Sequence, residues 1–109
     1  MKTTLSKRLL AVAGFVTPGS RVADIGTDHA FVPIYLMEHK IVPSALAMDI
    51  GKGPLLAAEE HIKEHGLEKY ITARQSDGVL ALQDGEADSV IIAGMGGALV
   101  IKILSEGRE

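Results

Sequence analysis

The sequence of 109 residues has no cysteine, which excludes disulfides and thiolate chemistry and fits a reducing cytoplasm. It has no apolar run of membrane-spanning length. The longest, VIIAGMGGALVI from Val90 to Ile101, is interrupted by three glycines and falls short of the ~20 residues a span requires. It has no excess of positive charge: the formal net charge is -3, so the chain as a whole does not advertise nucleic-acid binding. Repeats, low-complexity segments and flexible linkers are missing too. What is there, 47% hydrophobic and 23% charged residues, is the composition of one ordinary globular domain.

The charge is unevenly spread. Lys2, Lys7, Arg8 and Arg21 all precede the first acid, Asp24, so a basic amino-terminal segment sits on an otherwise acidic chain. MKTTLSKRLLAVAGFV has the positive start and short apolar run of a secretory signal. Cleavage after Ala23, however, would remove the strand that precedes a glycine turn, and the segment is read instead as a helix.

Hydrophobic periodicity predicts an amphipathic helix over Leu5 to Val16, ended by Thr17-Pro18-Gly19-Ser20. A buried strand, RVADI, follows, then a helix from Ala30 to Lys40 with Pro33 in its first turn, where a missing N–H costs little. ALAMDI is a second strand, Pro54 to His65 a helix with Gly66 as its cap, and YITARQ a third strand. After a short helix, ADSVIIAG is a fourth strand, and a last helix is expected from about Ala98 to Ser105. Strands alternating with helices imply an α/β fold with a parallel sheet. The fourth strand would then be a bare edge, which proteins normally cover. That pointed to a fragment of a longer protein, or to self-association through the exposed fourth strand.

In open parallel sheets a ligand lies beyond the carboxyl ends of the strands. Strand one ends in Asp24-Ile25-Gly26-Thr27-Asp28-His29 and strand two in Asp49-Ile50. Strand three leads to Ser76-Asp77-Gly78, and strand four ends in Ala93-Gly94-Met95-Gly96-Gly97. Asp49 follows Gly26 by 23 residues, near the ~20 expected of an acid that grips a ribose diol. Asp77 is placed to accept an adenine amino hydrogen, with Gly78 admitting the ring. NAD and S-adenosylmethionine both contain adenosine and fit equally to this point. The first turn separates them. A dinucleotide turn carries G-x-G-x-x-G, but here the second glycine place holds Asp28. A carboxylate beside a pyrophosphate is a like-charge contact costing about 1 kcal/mol or more. Beside an ammonium or a sulfonium the same carboxylate is attractive, so the turn is read as built for S-adenosylmethionine.

LSKRL (Leu5 to Leu9), ADIGTDHA (Ala23 to Ala30), DGVLAL (Asp77 to Leu82) and IAGMGG (Ile92 to Gly97) together resemble the bacterial TrmK family. The resemblance spans nearly the whole chain. It implies an S-adenosylmethionine-dependent tRNA (adenine-N1)-methyltransferase whose amino-terminal domain, residues 1–109 here, is a Rossmann-like class I methyltransferase fold. The expected strand order is 3-2-1-4 with flanking helices. In such families a further sheet portion and a largely helical carboxy-terminal domain follow, so the chain reads as the cofactor-binding half, with tRNA engaged mainly through absent parts. Asp24, Gly26, Thr27 and Asp28 are expected to face the methionine moiety, Asp49 and Ile50 the ribose, Asp77 and Gly78 the adenine. Ala93, Gly94 and Met95 are expected at the methyl-transfer position. Arg8 is a candidate for a cofactor carboxylate or RNA phosphate, and Asp28 and His29 are the catalytic candidates. The Asn/Asp-Pro-Pro-aromatic motif of amino-group methyltransferases is missing, which is compatible with a ring nitrogen as acceptor. An NAD-dependent oxidoreductase and a non-catalytic cofactor-binding module are the alternatives.

HIKEH, His61 to His65, matches an inverted zinc-protease motif. With no third ligand in view it is read as a charged, solvated helix end rather than a metal site. Asp24 with Gly26 could equally shape a ligand-free turn, Asp49 could cap the following helix, and Asp28 and His29 could be helix caps. His39 reads as a surface residue favoured by the helix dipole.

Overall fold

A computed structural model describes residues 5–27, 29–94 and 97–102. The element order is α1 (Lys7–Gly14), β1 (Val22–Ile25), α2 (Phe31–Glu38), β2 (Ala45–Asp49), α3 (Lys52–Glu64), β3 (Ile71–Gln75), β4 (Ser89–Gly94) and β5 (Gly97–Lys102). They form one sheet in the order β3-β2-β1-β4-β5. The first four strands are parallel, in register from Val22 to both Ala45 and Ser89. The order 3-2-1-4 expected from the sequence is therefore present.

Local chemistry accounts for the helix ends. Ser6 caps α1, its hydroxyl oxygen accepting from the Leu9 N–H at 3.3 Å. Gly66, at φ 69°, ends α3: its N–H bonds to the Lys63 carbonyl at 3.0 Å and that of Leu67 to the Ile62 carbonyl at 3.1 Å. That paired pattern closes the last turn and is accompanied by Leu67 packing on the same core as Ile62. α2 ends the same way on a lysine, with Lys40 at φ 57° and bonds from Lys40 to Met37 and from Ile41 to Leu36. α3 starts two residues earlier than expected, putting Pro54 in its third position, still within the first turn where no intrahelical N–H is needed.

Strand residues alternate between two faces. Val22, Asp24, Ala45, Ala47, Ile71 and Ile91 face the helices. Buried Val12 and Ala13 from α1, Val16 just beyond it, and Val32 and Leu36 from α2 pack there with Val22 and Ile91, and Ile34, Ala58 and Ile62 pack with Ala45, Ala47 and Ile71. Ala23, Ile25, Met48 and Val90 face the other way and meet Ala81, Leu82 and Ala87 of the 76–88 connection. That connection is turns rather than the short helix expected. It is anchored by Arg74, which donates to Glu86 at 2.6 and 2.9 Å and to the Ala81 carbonyl at 3.0 Å.

One expectation is overturned. Residues 97–102 are a strand, antiparallel to β4 with Ile91 opposite Val100 and Gly94 opposite Gly97, not the start of a helix; residues 103–105 lie outside the described residues. β-branched Val100 and Ile101 suit a strand, and pairing satisfies backbone groups that β4 would otherwise expose along its edge. Val100 also packs against the core under α1 and α2. Since β5 covers β4, the bare edge that suggested self-association is gone.

Candidate cofactor-binding site

The carboxyl ends of β1, β2 and β3 meet at one edge of the sheet. The β1 turn is tied to β2, because the N–H groups of Gly26 and Thr27 both donate to the Met48 carbonyl, at 2.8 and 2.9 Å. Gly26 sits at φ 75°, a conformation that favours glycine. Asp24 is 4% exposed, and the hydroxyl of buried Thr27 donates to its Oδ2 at 2.8 Å.

Asp24 is the electrostatic centre of this edge. Burial pushes its carboxyl up to about 7; the Thr27 hydrogen bond opposes that rise, and the nearby Asp49 charge adds to it. Asp24 pairs with Ala47 across the β1–β2 ladder, so Asp49, two residues on, projects to the same helix-side face. Asp49 is half-buried. Its Oδ1 accepts from the Gly51 N–H at 3.0 Å, and its carbonyl accepts from Ser76 at 2.9 Å. Two carboxylates on adjacent strand ends, one desolvated, make a sheet edge that rewards a cation and penalises a phosphate.

The adjoining loops are fixed by side chains. Gln75 holds the Ile50 carbonyl at 2.9 Å, while the Ile50 side chain itself is exposed. Ser76, buried, donates to the Gly78 carbonyl at 2.7 Å and accepts from the Ala81 N–H at 3.0 Å. Gly78 is at φ 61°, and Asp77 and Gly78 are both exposed at the rim. Ser76 is a functional residue that strand-end acids and glycines alone do not point to; its signal is the Ser-Asp-Gly order itself, since serine hydroxyls close turns onto nearby backbone.

Asp24, Gly26, Thr27, Asp49, Ile50, Asp77 and Gly78 are thus brought to one edge. Ala93 and Gly94 end β4, beside β1 in the sheet. Arg8 lies on α1, exposed. Asp28 and Met95 lie outside the described residues. His29 is described and exposed, at φ 41°, and the cap of α2 is neither Asp28 nor His29 but Ala30, which makes no side-chain cap bond. Arg21 leaves the basic amino-terminal group, because its guanidinium is paired with Asp88 at 3.0 Å. His39 is exposed and its Nδ1–H donates to the Tyr35 carbonyl at 2.9 Å, at the end of α2.

HIKEH is not a solvated helix end. His61 and His65 are half-buried, and each donates from Nδ1 to α2 or the turn before it: His61 to the His29 carbonyl at 2.7 Å, His65 to Glu38 at 2.6 Å. Among the described residues no group of three or more His, Asp or Glu side chains is arranged to hold a metal ion. Also among the described residues, no helix is long and apolar enough to cross a membrane.

Residues 5–109 match the family described as a methyltransferase domain. The chain belongs to that family. Within it, the chain is 44% identical over 105 residues to the tRNA (adenine(22)-N(1))-methyltransferase of Bacillus subtilis, covering 96% of this chain and 44% of that protein. The crystal structure of the B. subtilis M1A22 tRNA methyltransferase TrmK superposes with a TM-score of 0.83 at 42% identity, over 87% of this chain and 41% of that one. The M. capricolum TrmK, solved with its natural cofactor product S-adenosyl-homocysteine, gives 0.77 at 38% identity, over 83% and 41%. This methyltransferase-domain chain therefore spans under half the length of these relatives. The resemblance to the TrmK family read from the four motifs is borne out, as is the Rossmann-like fold.

Proposed function

We propose that residues 1–109 form the S-adenosylmethionine-binding domain of a tRNA (adenine-N1)-methyltransferase. The observation that carries the proposal is the desolvated Asp24 beside Asp49 at the ends of β1 and β2. A carboxyl held at about 7 by burial has lost water, no cation among the described residues offsets that loss, and a positive group at that edge would relieve it. The NAD reading requires the turn after β1 to accept a pyrophosphate beside the buried Asp24, whereas Asp49 would serve a ribose in either reading.

S-adenosylmethionine, when bound, supplies a sulfonium-activated methyl group. The residues of this chain bind and orient. Asp49 accepts from ribose hydroxyls, its carboxylate steadied by the Gly51 N–H. The turn at Gly26 and Thr27 meets the methionine end, with Asp24 beneath as counter-charge. Asp77 and Gly78, held by Ser76, border the adenine. Held there, the cofactor would supply its methyl to the N1 lone pair of a tRNA adenine, with S-adenosylhomocysteine and a cationic methylated base as the products. A free lone pair needs no base to be removed first, so orientation supplies most of the acceleration. The relatives' names and the M. capricolum cofactor-product complex support both cofactor and substrate class, and the cytoplasm is the compartment this reading implies.

Isothermal titration with S-adenosylhomocysteine tests it. Binding to the wild type is expected, with a loss of at least about tenfold in Asp49→Ala as two charge-assisted hydrogen bonds disappear. Stabilisation by NADH and not by S-adenosylhomocysteine in a thermal scan would overturn the assignment.

A further inference from the structure

The β1–α2 turn contains two consecutive non-glycine residues in the left-handed region, His29 at φ 41° and Ala30 at φ 58°. L-residues adopt that conformation rarely and at a cost, and it persists only where surroundings enforce it. Part of the enforcement is local, since Ala30 is wholly buried and its carbonyl accepts from Ile34 at 3.1 Å. A further part comes from α3. His61 Nδ1 lies 2.7 Å from the His29 carbonyl, across 32 residues of sequence. A carbonyl oxygen only accepts, so the ring proton sits on Nδ1. The neutral Nδ1–H tautomer and the imidazolium both donate there, and the bond survives either protonation state.

The His61 ring is itself held in place. Phe31 meets it edge-on at 5.1 Å and 85° while stacking on His29 at 5.2 Å and 13°. His65 packs against it at 4.8 Å and 89°, and His65 donates to Glu38 at 2.6 Å. One turn of α3 is thereby fastened at two points, to the turn entering α2 and to the last residue of α2.

We infer that His61 is a positioning residue for the cofactor turn: its hydrogen bond to the His29 carbonyl braces the left-handed segment that follows Gly26 and Thr27. In doing so it sets affinity for the methionine end of S-adenosylmethionine. The inference rests on the cofactor reading above, but the brace itself does not. His61 touches no reacting atom and acts only through the turn.

Amide hydrogen exchange and titration with S-adenosylhomocysteine, on wild type, His61→Ala, His61→Asn and Asp49→Ala, separate the possibilities. The Asn amide nitrogen occupies nearly the position of Nδ1 and can restore the bond. His61→Ala is expected to speed exchange across residues 26–34 selectively and to weaken binding about five- to tenfold, the worth of one hydrogen bond; His61→Asn is expected to recover most of both. Unchanged exchange in the turn of His61→Ala overturns the brace. His61→Asn behaving like His61→Ala also overturns it, by assigning the effect to lost ring packing. Wild-type affinity in His61→Ala, with affinity lost in Asp49→Ala, overturns the link to the cofactor. If the wild type binds no S-adenosylhomocysteine, the functional reading falls and the affinity claim with it, while the exchange comparison still decides the brace.

Discussion

Replacing Asp24 by Asn removes the buried charge with almost no change of shape. Asn keeps an oxygen for the Thr27 hydroxyl, which donates at 2.8 Å in the wild type. Burial raises the wild-type carboxyl from 3.8 to about 7, roughly three units, and each unit corresponds to ~1.36 kcal/mol. Between those two values the folded chain keeps a proton that the unfolded chain has released. Stability therefore falls as pH rises through that window, by as much as about 4 kcal/mol, a large share of the ~5–15 kcal/mol of a typical domain. At pH 4 the folded forms of both chains carry a neutral side chain at this position, and the two should unfold at similar urea concentrations. At pH 8 the Asp24→Asn chain should be the more stable, its midpoint higher by up to about 2 M urea at a typical slope. The same substitution should weaken S-adenosylhomocysteine, whose ammonium loses its counter-charge. Near pH 7, titration of the wild type should release protons, visible as a binding enthalpy that varies with the buffer's ionisation heat. Equal midpoints at pH 8, or a gap that stays constant from pH 4 to 8, would refute the claim that Asp24 is destabilised by desolvation.

Two further outcomes test the fold. Lys40 closes α2 at φ 57°, where glycine pays no steric penalty. Lys40→Gly should stabilise by about 1 kcal/mol, raising the melting temperature by roughly 4–8 °C; an unchanged or lower value would mean the unfolded chain's added entropy outweighs the strain relieved. In NMR spectra, β5 requires cross-strand contacts between the backbones of Val90 and Ile101 and of Ala93 and Ala98. Helical contacts three residues apart through 97–102 would instead restore the helix that the sequence pattern suggested.

The parts of this molecule that were legible are those governed by short-range rules. Apolar strands alternating with helical patterns implied a parallel sheet, because each crossover constrains its own neighbours, and the TrmK resemblance added the order β3, β2, β1 and β4. The strand-end acids were legible for the same reason: Asp24, Asp49 and Asp77 follow directly from where strands stop. β5 was not, since GALVIK is too short and apolar for periodicity to distinguish strand from helix; its pairing with the β4 edge decided it. The end of α2 was legible only to within two residues, because the left-handed position at Lys40 lacks the glycine that usually marks it. The HIKEH run failed differently. Spacing of one helical turn announces a shared task for His61 and His65, and a metal or a solvated end are the tasks spacing alone can suggest. Their partners, the His29 carbonyl and Glu38, lie 32 and 27 residues away, and no local pattern links them. The buried proton-hungry Asp24 and the strained turn beside it share that character. Sequence names the groups at the strand ends, but the burial of Asp24 and the tie from His61 to the His29 carbonyl arise only in the assembled chain, so the site's electrostatics belong to the fold rather than to any one motif.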